Sequence, residues 1–187
     1  MNIAVYCSSK PHLDKRYHEM ALELGHWMGR NGHTLIYGGV DAGLMHTVAH
    51  GVHESGGQVV GVITRNFAPM ADRLVDRLIT TADLSERKSR MYLISDLHVV
   101  LPGGVGTIDE WMSALSQWVV DKREGVGIVF ANVDDMYGSM VRQLAELADT
   151  PFAGDRHLAA MAQVANTRQL IDTLEKITNL NPTYKQD

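Results

Sequence analysis

A glycine-rich segment at residues 102–110, PGGVGTIDE, has the residue types that binding of a phosphate ester requires. It follows an apolar run typical of a buried strand, and its glycines allow a ligand to approach the backbone closely. The amides from Gly104 to Thr107 would then lie unpaired at the start of a helix, where the helix dipole favours an anion. The predicted phosphate-binding residues are Gly103, Gly104, Val105, Gly106 and Thr107.

Two carboxylates lie within or just after the first helical turn that follows these glycines. Glu110 follows Thr107 by three residues and therefore lies near the same edge of the helix, whereas Asp109 projects about 100° away from Glu110. A carboxylate at this position could stabilise developing positive charge or activate water beside a ligand held by these amides. We assign this role to Glu110. The alternative is a capping box of Thr107 and Glu110 that opens an ordinary helix, which would leave the glycines unexplained.

A charged run precedes the apolar strand. Residues 86–90 read ERKSR, a pattern that usually marks a solvated helix face. The spacing of Arg87 and Lys88 from the glycine-rich segment favours instead a role in the same site. Arg87 would orient Glu110 through a bidentate contact and hold the pKa of that carboxyl down.

The elements that position these residues are short β-branched runs alternating with longer amphipathic stretches. Strands are predicted at residues 2–7, 34–37, 58–63, 76–80, 97–101, 126–130 and 161–165, and helices at 13–30, 43–54, 84–94, 107–121, 136–148 and 167–178. Residues 64–75 and 149–158 are predicted to be irregular. The alternation predicts an α/β fold, a doubly wound Rossmann-like parallel sheet of six or seven strands with helices on both faces. In such sheets ligands bind at the carboxyl ends of the strands.

Composition narrows the classes of function. The 187 residues predict one nucleotide-binding domain at residues 1–180 and a polar tail at 181–187. A net charge of −5 argues against a nucleic-acid partner. The single cysteine, Cys7, excludes an intrachain disulfide, and the sequence shows neither a signal peptide nor a run of about 18 apolar residues. We therefore expect a cytoplasmic protein with no membrane association.

The motifs resemble those of one family. PGGVGTIDE is similar to the PGGxGTxxE signature of the lonely-guy (LOG) phosphoribohydrolases, which activate cytokinins and are often mislabelled lysine decarboxylases. Residues 37–45, YGGVDAGLM, look like the YGGGxxGLM turn of that family, and Arg87-Lys88-x-x-Met91 looks like its RKxxM helix. The first strand followed by Ser8 and Ser9 also fits. The resemblance covers nearly the whole chain.

The resemblance implies hydrolysis of a nucleoside 5′-monophosphate, AMP-like or a cytokinin riboside 5′-monophosphate, to free base and ribose 5-phosphate. It implies that Glu110 and Arg87 are catalytic, that Lys88 lies near the nucleotide and that Asp109 holds ribose hydroxyls. Asp109 would otherwise serve only to favour the helix N-terminus. Further pocket candidates are Ser8, Ser9, Gly39 and Met91.

The family also implies a homodimer with sites near the interface, no cofactor and no metal. The apolar helices after Gly43 and Gly106 are candidate subunit contacts. The sequence departs from the family pattern at three places. Val40 and His46 replace glycines, and residues 84–86 differ from the usual residues before the RKxxM helix. All three places lie where base and ribose would bind. They leave the identity of the base open.

Alternative functions make different predictions. A nucleotide sensor would use the same loop without catalysis. A nicotinamide enzyme would need the GxGxxG fingerprint, which is absent, and a pyridoxal-phosphate enzyme would need Lys88 as its Schiff base. His46, His50 and His53 share one helix face, but no cysteine or evident acidic third ligand accompanies them. Surface or interface histidines are therefore the preferred interpretation over a zinc site.

Overall fold

A single parallel sheet organises the computed structural model, which describes residues 1–180. The strands are β1 (Asn2–Tyr6), β2 (Thr34–Tyr37), β3 (Gln58–Thr64), β4 (Arg77–Thr81), β5 (Leu97–Val100), β6 (Ile128–Ala131) and β7 (Met161–Val164). Their order is β4-β3-β2-β1-β5-β6-β7, and every neighbouring pair is parallel. The predicted fold class is confirmed. The predicted tail at residues 181–187 lies outside the described residues.

Helices cover both faces of the sheet. They are α1 (Lys15–Arg30), α2 (Gly43–Glu54), α3 (Leu84–Leu93), α4 (Val105–Val120), α5 (Gly138–Ala148), α6 (Arg156–Ala159) and α7 (Thr167–Leu180). Alternate strand residues separate two apolar cores, because successive side chains of a strand point to opposite faces. Ile3 and Val5 pack with α1, α2 and α7, whereas Ala4 and Tyr6 pack with α3 and α4.

The chain reverses its direction of travel across the sheet between β4 and β5. It runs outward from β1 to β4 and then crosses back, so that β5 pairs with the free side of β1. The Ser8 amide donates to the Pro102 carbonyl at 3.2 Å and joins the segments that follow these two strands. A crevice at such a switch point is where ligands bind in open α/β sheets. The glycine-rich turn lies at this crevice.

Close packing of α1 on α2 depends on two glycines. A Cβ atom on Gly51 would meet the Leu22 carbonyl at 2.6 Å, and one on Gly25 would collide with the Val48 carbonyl. The apolar side chains of α2, including Val48, are buried inside the chain as a result. They are not available for the subunit contact that the sequence predicted for this helix.

Two short helices lie in segments that the sequence predicted to be irregular. A 3₁₀ helix spans Arg65–Met70, and α6 contributes Arg156–Ala159. Neither contains a buried residue, so neither produces an apolar periodicity that a sequence could reveal. No helix within residues 1–180 combines the length and apolarity needed to cross a membrane.

Candidate active site

A cavity of about 320 Å³ opens at the carboxyl ends of β1, β2, β3 and β5. The loops after these strands and the starts of α3 and α4 form its wall. Ten of the residues predicted from sequence line it: Ser8, Ser9, Arg87, Lys88, Gly104, Val105, Gly106, Thr107, Asp109 and Glu110. Residues more than 100 positions apart in the chain, such as Ser8 and Glu110, therefore meet in one pocket.

The start of α4 supplies unpaired amides to this cavity. Gly104 is the N-cap residue, and the Ile108 amide donates to its carbonyl at 3.0 Å. The three intervening amides, from Val105 to Thr107, lie in the first turn, where a helix offers no carbonyl partner. No side chain caps the helix, so the alternative interpretation, a capping box of Thr107 and Glu110, is not observed. The arrangement suits an anion such as phosphate.

Glu110 lies one turn deeper in α4 and pairs with Arg87 of α3. Its Oε1 accepts a hydrogen bond from Arg87 Nη2 at 2.7 Å, and only 6% of the glutamate is exposed. Arg87 is held by a second bond, from its Nε to the Val62 carbonyl at 2.9 Å. Because the guanidinium is shared in this way, the contact to Glu110 is a single bond and not the bidentate pair predicted from sequence.

Burial governs the charge of this glutamate. Removal of the carboxyl from water raises the pKa of Glu110 to about 7, although the Arg87 charge acts in the opposite direction. Arg87 lowers the pKa of Glu110, as the sequence predicted, but the sequence did not predict that the net pKa would lie above its usual value. The reason is that the Glu110 side chain is almost fully buried, and its loss of hydration outweighs the one favourable charge.

A second ion pair lies nearer the mouth of the cavity. Lys88 Nζ donates to Asp109 Oδ1 at 2.6 Å, and half of the aspartate side chain is exposed. Water screens such a pair, so it contributes little to stability. Its effect is positional, because it places a cation and a carboxylate beside the buried Glu110.

Part of the cavity wall is apolar. Val40, Met45, Ile63, Phe67 and Leu84 line it. The sequence did not predict Phe67, because it lies in the 3₁₀ helix within a segment that lacks periodicity. A cavity with an anion-binding end and an apolar wall fits a phosphorylated ligand with a flat apolar part.

Three residues predicted to bind ligand do not line the cavity. Met91 is fully buried in the core beneath α3, and Gly39, with φ of 73°, turns the chain so that Gly38 lines the cavity in its place. Gly103 lies behind the turn, where its carbonyl accepts a bond from the Tyr137 hydroxyl at 3.3 Å. These three residues support the cavity wall but do not line the cavity.

His46 does not line the cavity either. Its Nδ1 faces the carboxylates of Asp41 and Asp72 on the far side of the turn that carries Val40. The structure therefore supplies the acidic neighbours that were not evident from the sequence. Within residues 1–180 these three residues form the one group of histidine, cysteine and acidic side chains with the geometry to hold a metal ion.

The parallel sheet, the switch-point cavity and the glycine-rich helix start define a Rossmann-like α/β protein with a candidate anion site. A family model described as possible lysine decarboxylase matches residues 45–174. Cytokinin riboside 5′-monophosphate phosphoribohydrolase LOG2 of Arabidopsis thaliana is 30% identical over 178 residues, which cover 93% of this chain and 82% of that protein. The LOG protein of Oryza sativa subsp. japonica is also 30% identical, over 93% of this chain and 72% of that protein. The chain belongs to this LOG family.

Solved structures agree on the fold. The molybdenum cofactor carrier protein of Chlamydomonas reinhardtii superimposes with a TM-score of 0.74 at 23% identity, over 95% of this chain and 98% of that one. The molybdenum cofactor binding protein of Rippkaea orientalis gives a TM-score of 0.73 at 19% identity, over 94% and 96% of the two chains. At these identities the likeness extends to the fold alone.

Proposed function

We propose that this protein hydrolyses the N-glycosidic bond of a nucleoside 5′-monophosphate and releases the free base and ribose 5-phosphate. The observation that carries the proposal is Glu110, a buried carboxylate paired with Arg87 one turn beyond unpaired helix amides in a cavity of suitable size. Two LOG relatives whose names describe phosphoribohydrolase activity match more than nine-tenths of the chain.

The phosphate is proposed to bind at the start of α4. The amides from Val105 to Thr107 would donate to its oxygens, and the helix dipole would favour its charge. Ser8 and Ser9, which follow β1 and line the same cavity, would donate hydroxyl groups to the same ester. Lys88, near the cavity mouth, adds a positive charge.

The ribose would then lie over Glu110. As the glycosidic bond lengthens, positive charge develops on the ribose ring, and the carboxylate stabilises that charge or takes a proton from the attacking water. The oxygen of water bonds to C1′, the bonding electron pair leaves with the base, and the base nitrogen acquires a proton. Arg87 fixes the position of the carboxylate, and Asp109 is placed to bind ribose hydroxyls.

The base would occupy the apolar wall. Val40, Ile63 and Phe67 offer an apolar surface to a flat ring. Such a surface suits adenine as well as an adenine with an apolar N6 substituent, so AMP and isopentenyladenosine monophosphate are the substrates to compare. The Val40 side chain, in place of a glycine of the family pattern, narrows this part of the cavity.

The test uses purified protein incubated with AMP and with isopentenyladenosine monophosphate, with free base and ribose 5-phosphate separated by chromatography. Glu110→Gln keeps the shape of the side chain and removes its charge, and we expect turnover to fall by at least about a hundredfold. Glu146→Gln, on the exposed side of α5, is the matched control and should turn over normally.

Normal turnover by folded Glu110→Gln would contradict the assigned mechanism. A wild-type protein that binds AMP tightly but forms no product on long incubation would contradict hydrolysis altogether. That second result would favour the alternative, a nucleotide sensor that uses the same loop.

A further inference from the structure

One histidine and two aspartates converge outside the cavity, where two segments of the chain are joined. Asp41 precedes α2, His46 lies in its first turns, and Asp72 follows the 3₁₀ helix. The Asp41 amide donates to the Met70 carbonyl at 3.0 Å, and the Asp72 amide donates to the Gly39 carbonyl at 2.8 Å. The backbone thus holds the three side chains together.

The three side chains present their ligand atoms to one point. His46 Nδ1 lies 2.9 Å from Asp72 Oδ2 and 3.0 Å from Asp41 Oδ1, and all three atoms are within 4.8 Å of one another. A ring nitrogen carries at most one proton, so it cannot donate a full hydrogen bond to both oxygens. The Asp72 side chain is 1% exposed, and its other oxygen accepts from the Leu74 amide at 3.0 Å. A carboxylate buried to this extent favours a cation beside it.

A buried hydroxyl also lies next to the cluster. The Tyr37 side chain is fully buried at the end of β2, and its hydroxyl lies beside the Asp72 carboxylate. The hydroxyl could therefore help to orient that carboxylate toward a bound ion.

We propose that Asp41, His46 and Asp72 bind one divalent transition-metal ion, of which Zn²⁺ is the representative. One imidazole nitrogen and two carboxylate oxygens suit such an ion, whereas Mg²⁺ and Ca²⁺ prefer oxygen ligands alone. Tetrahedral Zn²⁺ with bonds of about 2.0 Å places neighbouring ligand atoms roughly 3.3 Å apart. The distances from Nδ1 to the two oxygens are close to that value. A water molecule would complete the coordination.

Metal binding would fix one wall of the cavity. The ion would tie the start of α2, which follows Val40, to the segment that carries Phe67, and the isolated bridge between Val40 and Ala71 already brings these segments together. The ion is separate from the proposed reaction, because none of its three ligands lines the cavity. The proposed site thus stands independently of the proposed hydrolase function.

The experiment is a calorimetric titration of the tag-free, chelator-treated protein with ZnCl₂. We expect saturable binding of one ion per chain and a higher melting temperature with bound ion, because a ligand of the native state stabilises it. Asp72→Asn retains the acceptor for the Leu74 amide and removes the charge. Asp72→Asn and His46→Ala should each weaken binding by at least about tenfold.

His53→Ala is the matched control, since His53 lies exposed on the same helix outside the cluster. It should bind Zn²⁺ as the wild type does. Circular dichroism shows whether each variant is folded. If Asp72→Asn or His46→Ala does not fold, Asp41→Asn, at the exposed edge of the cluster, is measured in its place. Absence of saturable binding by the wild type would overturn the proposal. Equal binding by folded His46→Ala, or equal loss in His53→Ala, would also overturn it by showing adventitious binding to surface histidines.

Discussion

At the residue scale, the charge state of Glu110 results from two opposing effects. Its burial in the cavity wall favours the neutral acid, and the Arg87 guanidinium 2.7 Å away favours the carboxylate. The balance places its pKa at about 7, where a small change in either effect changes the fraction ionised. A carboxyl tuned to this range is typical of catalytic sites.

The pH dependence of turnover follows from this value. The carboxylate is the form that stabilises positive charge, and the ionised fraction falls as the pH drops through about 7. We expect kcat/KM to fall tenfold for each pH unit below that point, measured on AMP between pH 5 and 9. A profile that stays flat down to pH 5, where a carboxyl of ordinary pKa begins to protonate, would contradict the role of this buried group.

Replacement of Arg87 should move the acid limb of this profile. Arg87→Ala removes the cation that favours the carboxylate, so the pKa of Glu110 should rise and half-maximal activity should require a higher pH. Arg90→Ala, on an exposed position of the same helix, is the control and should leave the limb in place. A lower maximum with an unmoved limb would show that Arg87 acts only on substrate binding.

At the element scale, backbone contact between α1 and α2 sets the position of the turn before α2. Gly25 and Gly51 let the two helices approach until each lies against carbonyl groups of the other. The Leu44 amide of α2 donates to the Ser8 carbonyl at 2.9 Å, so this packing also supports the loop after β1 that lines the cavity. Helix spacing and site geometry are therefore coupled.

Gly51→Ala tests that packing. Alanine normally favours a helix, but here its Cβ would lie 2.6 Å from the Leu22 carbonyl, and we expect destabilisation of about 1–3 kcal/mol. Gly106→Ala in α4 meets open space and should leave the free energy of unfolding unchanged or raise it by up to about 1 kcal/mol. Urea denaturation measures both. A Gly51→Ala protein with the free energy of unfolding of the wild type would contradict this prediction, because it would show that α1 and α2 can move apart without destabilising the fold.

At the scale of the whole molecule, large apolar side chains are exposed along α3 and α4. Leu93 is 72% exposed, Val120 67% and Met112 36%, although the same helices bury their other sides against the sheet. Apolar surface gathered on neighbouring helices is typical of a protein interface. We propose that two copies of the chain associate through this surface, as a homodimer.

Charge placed in this surface should separate the copies. Leu93→Asp combined with Met112→Asp would bury unpaired carboxylates in the interface, and we expect a monomer by size-exclusion chromatography with light scattering. Phe152→Asp is the control, because Phe152 is an even more exposed apolar residue, at 90%, outside α3 and α4, and its replacement should leave a dimer intact. A wild-type monomer at micromolar concentration would contradict the proposal.

The sequence by itself determined the order of strands and helices and the chemistry at the start of α4. Both are local: apolar β-branched runs report burial, and Gly103 to Glu110 lie within one strand-to-helix connection. Arg87 and Lys88 were also predicted, because their helix directly precedes β5. Met91 and Gly39 were predicted from the motifs of the family resemblance, and a motif does not distinguish a cavity wall from the core behind it.

Only the tertiary structure decided what depends on distant segments and on burial. Phe67 enters the cavity and Asp72 meets His46 because β3 and β4 bring an irregular segment beside α2, and no periodicity in the sequence marks that meeting. The pKa of Glu110 rises because the assembled cavity removes water from the carboxyl. Residue types fix which groups are present, but hydration and non-local contacts fix what those groups can do.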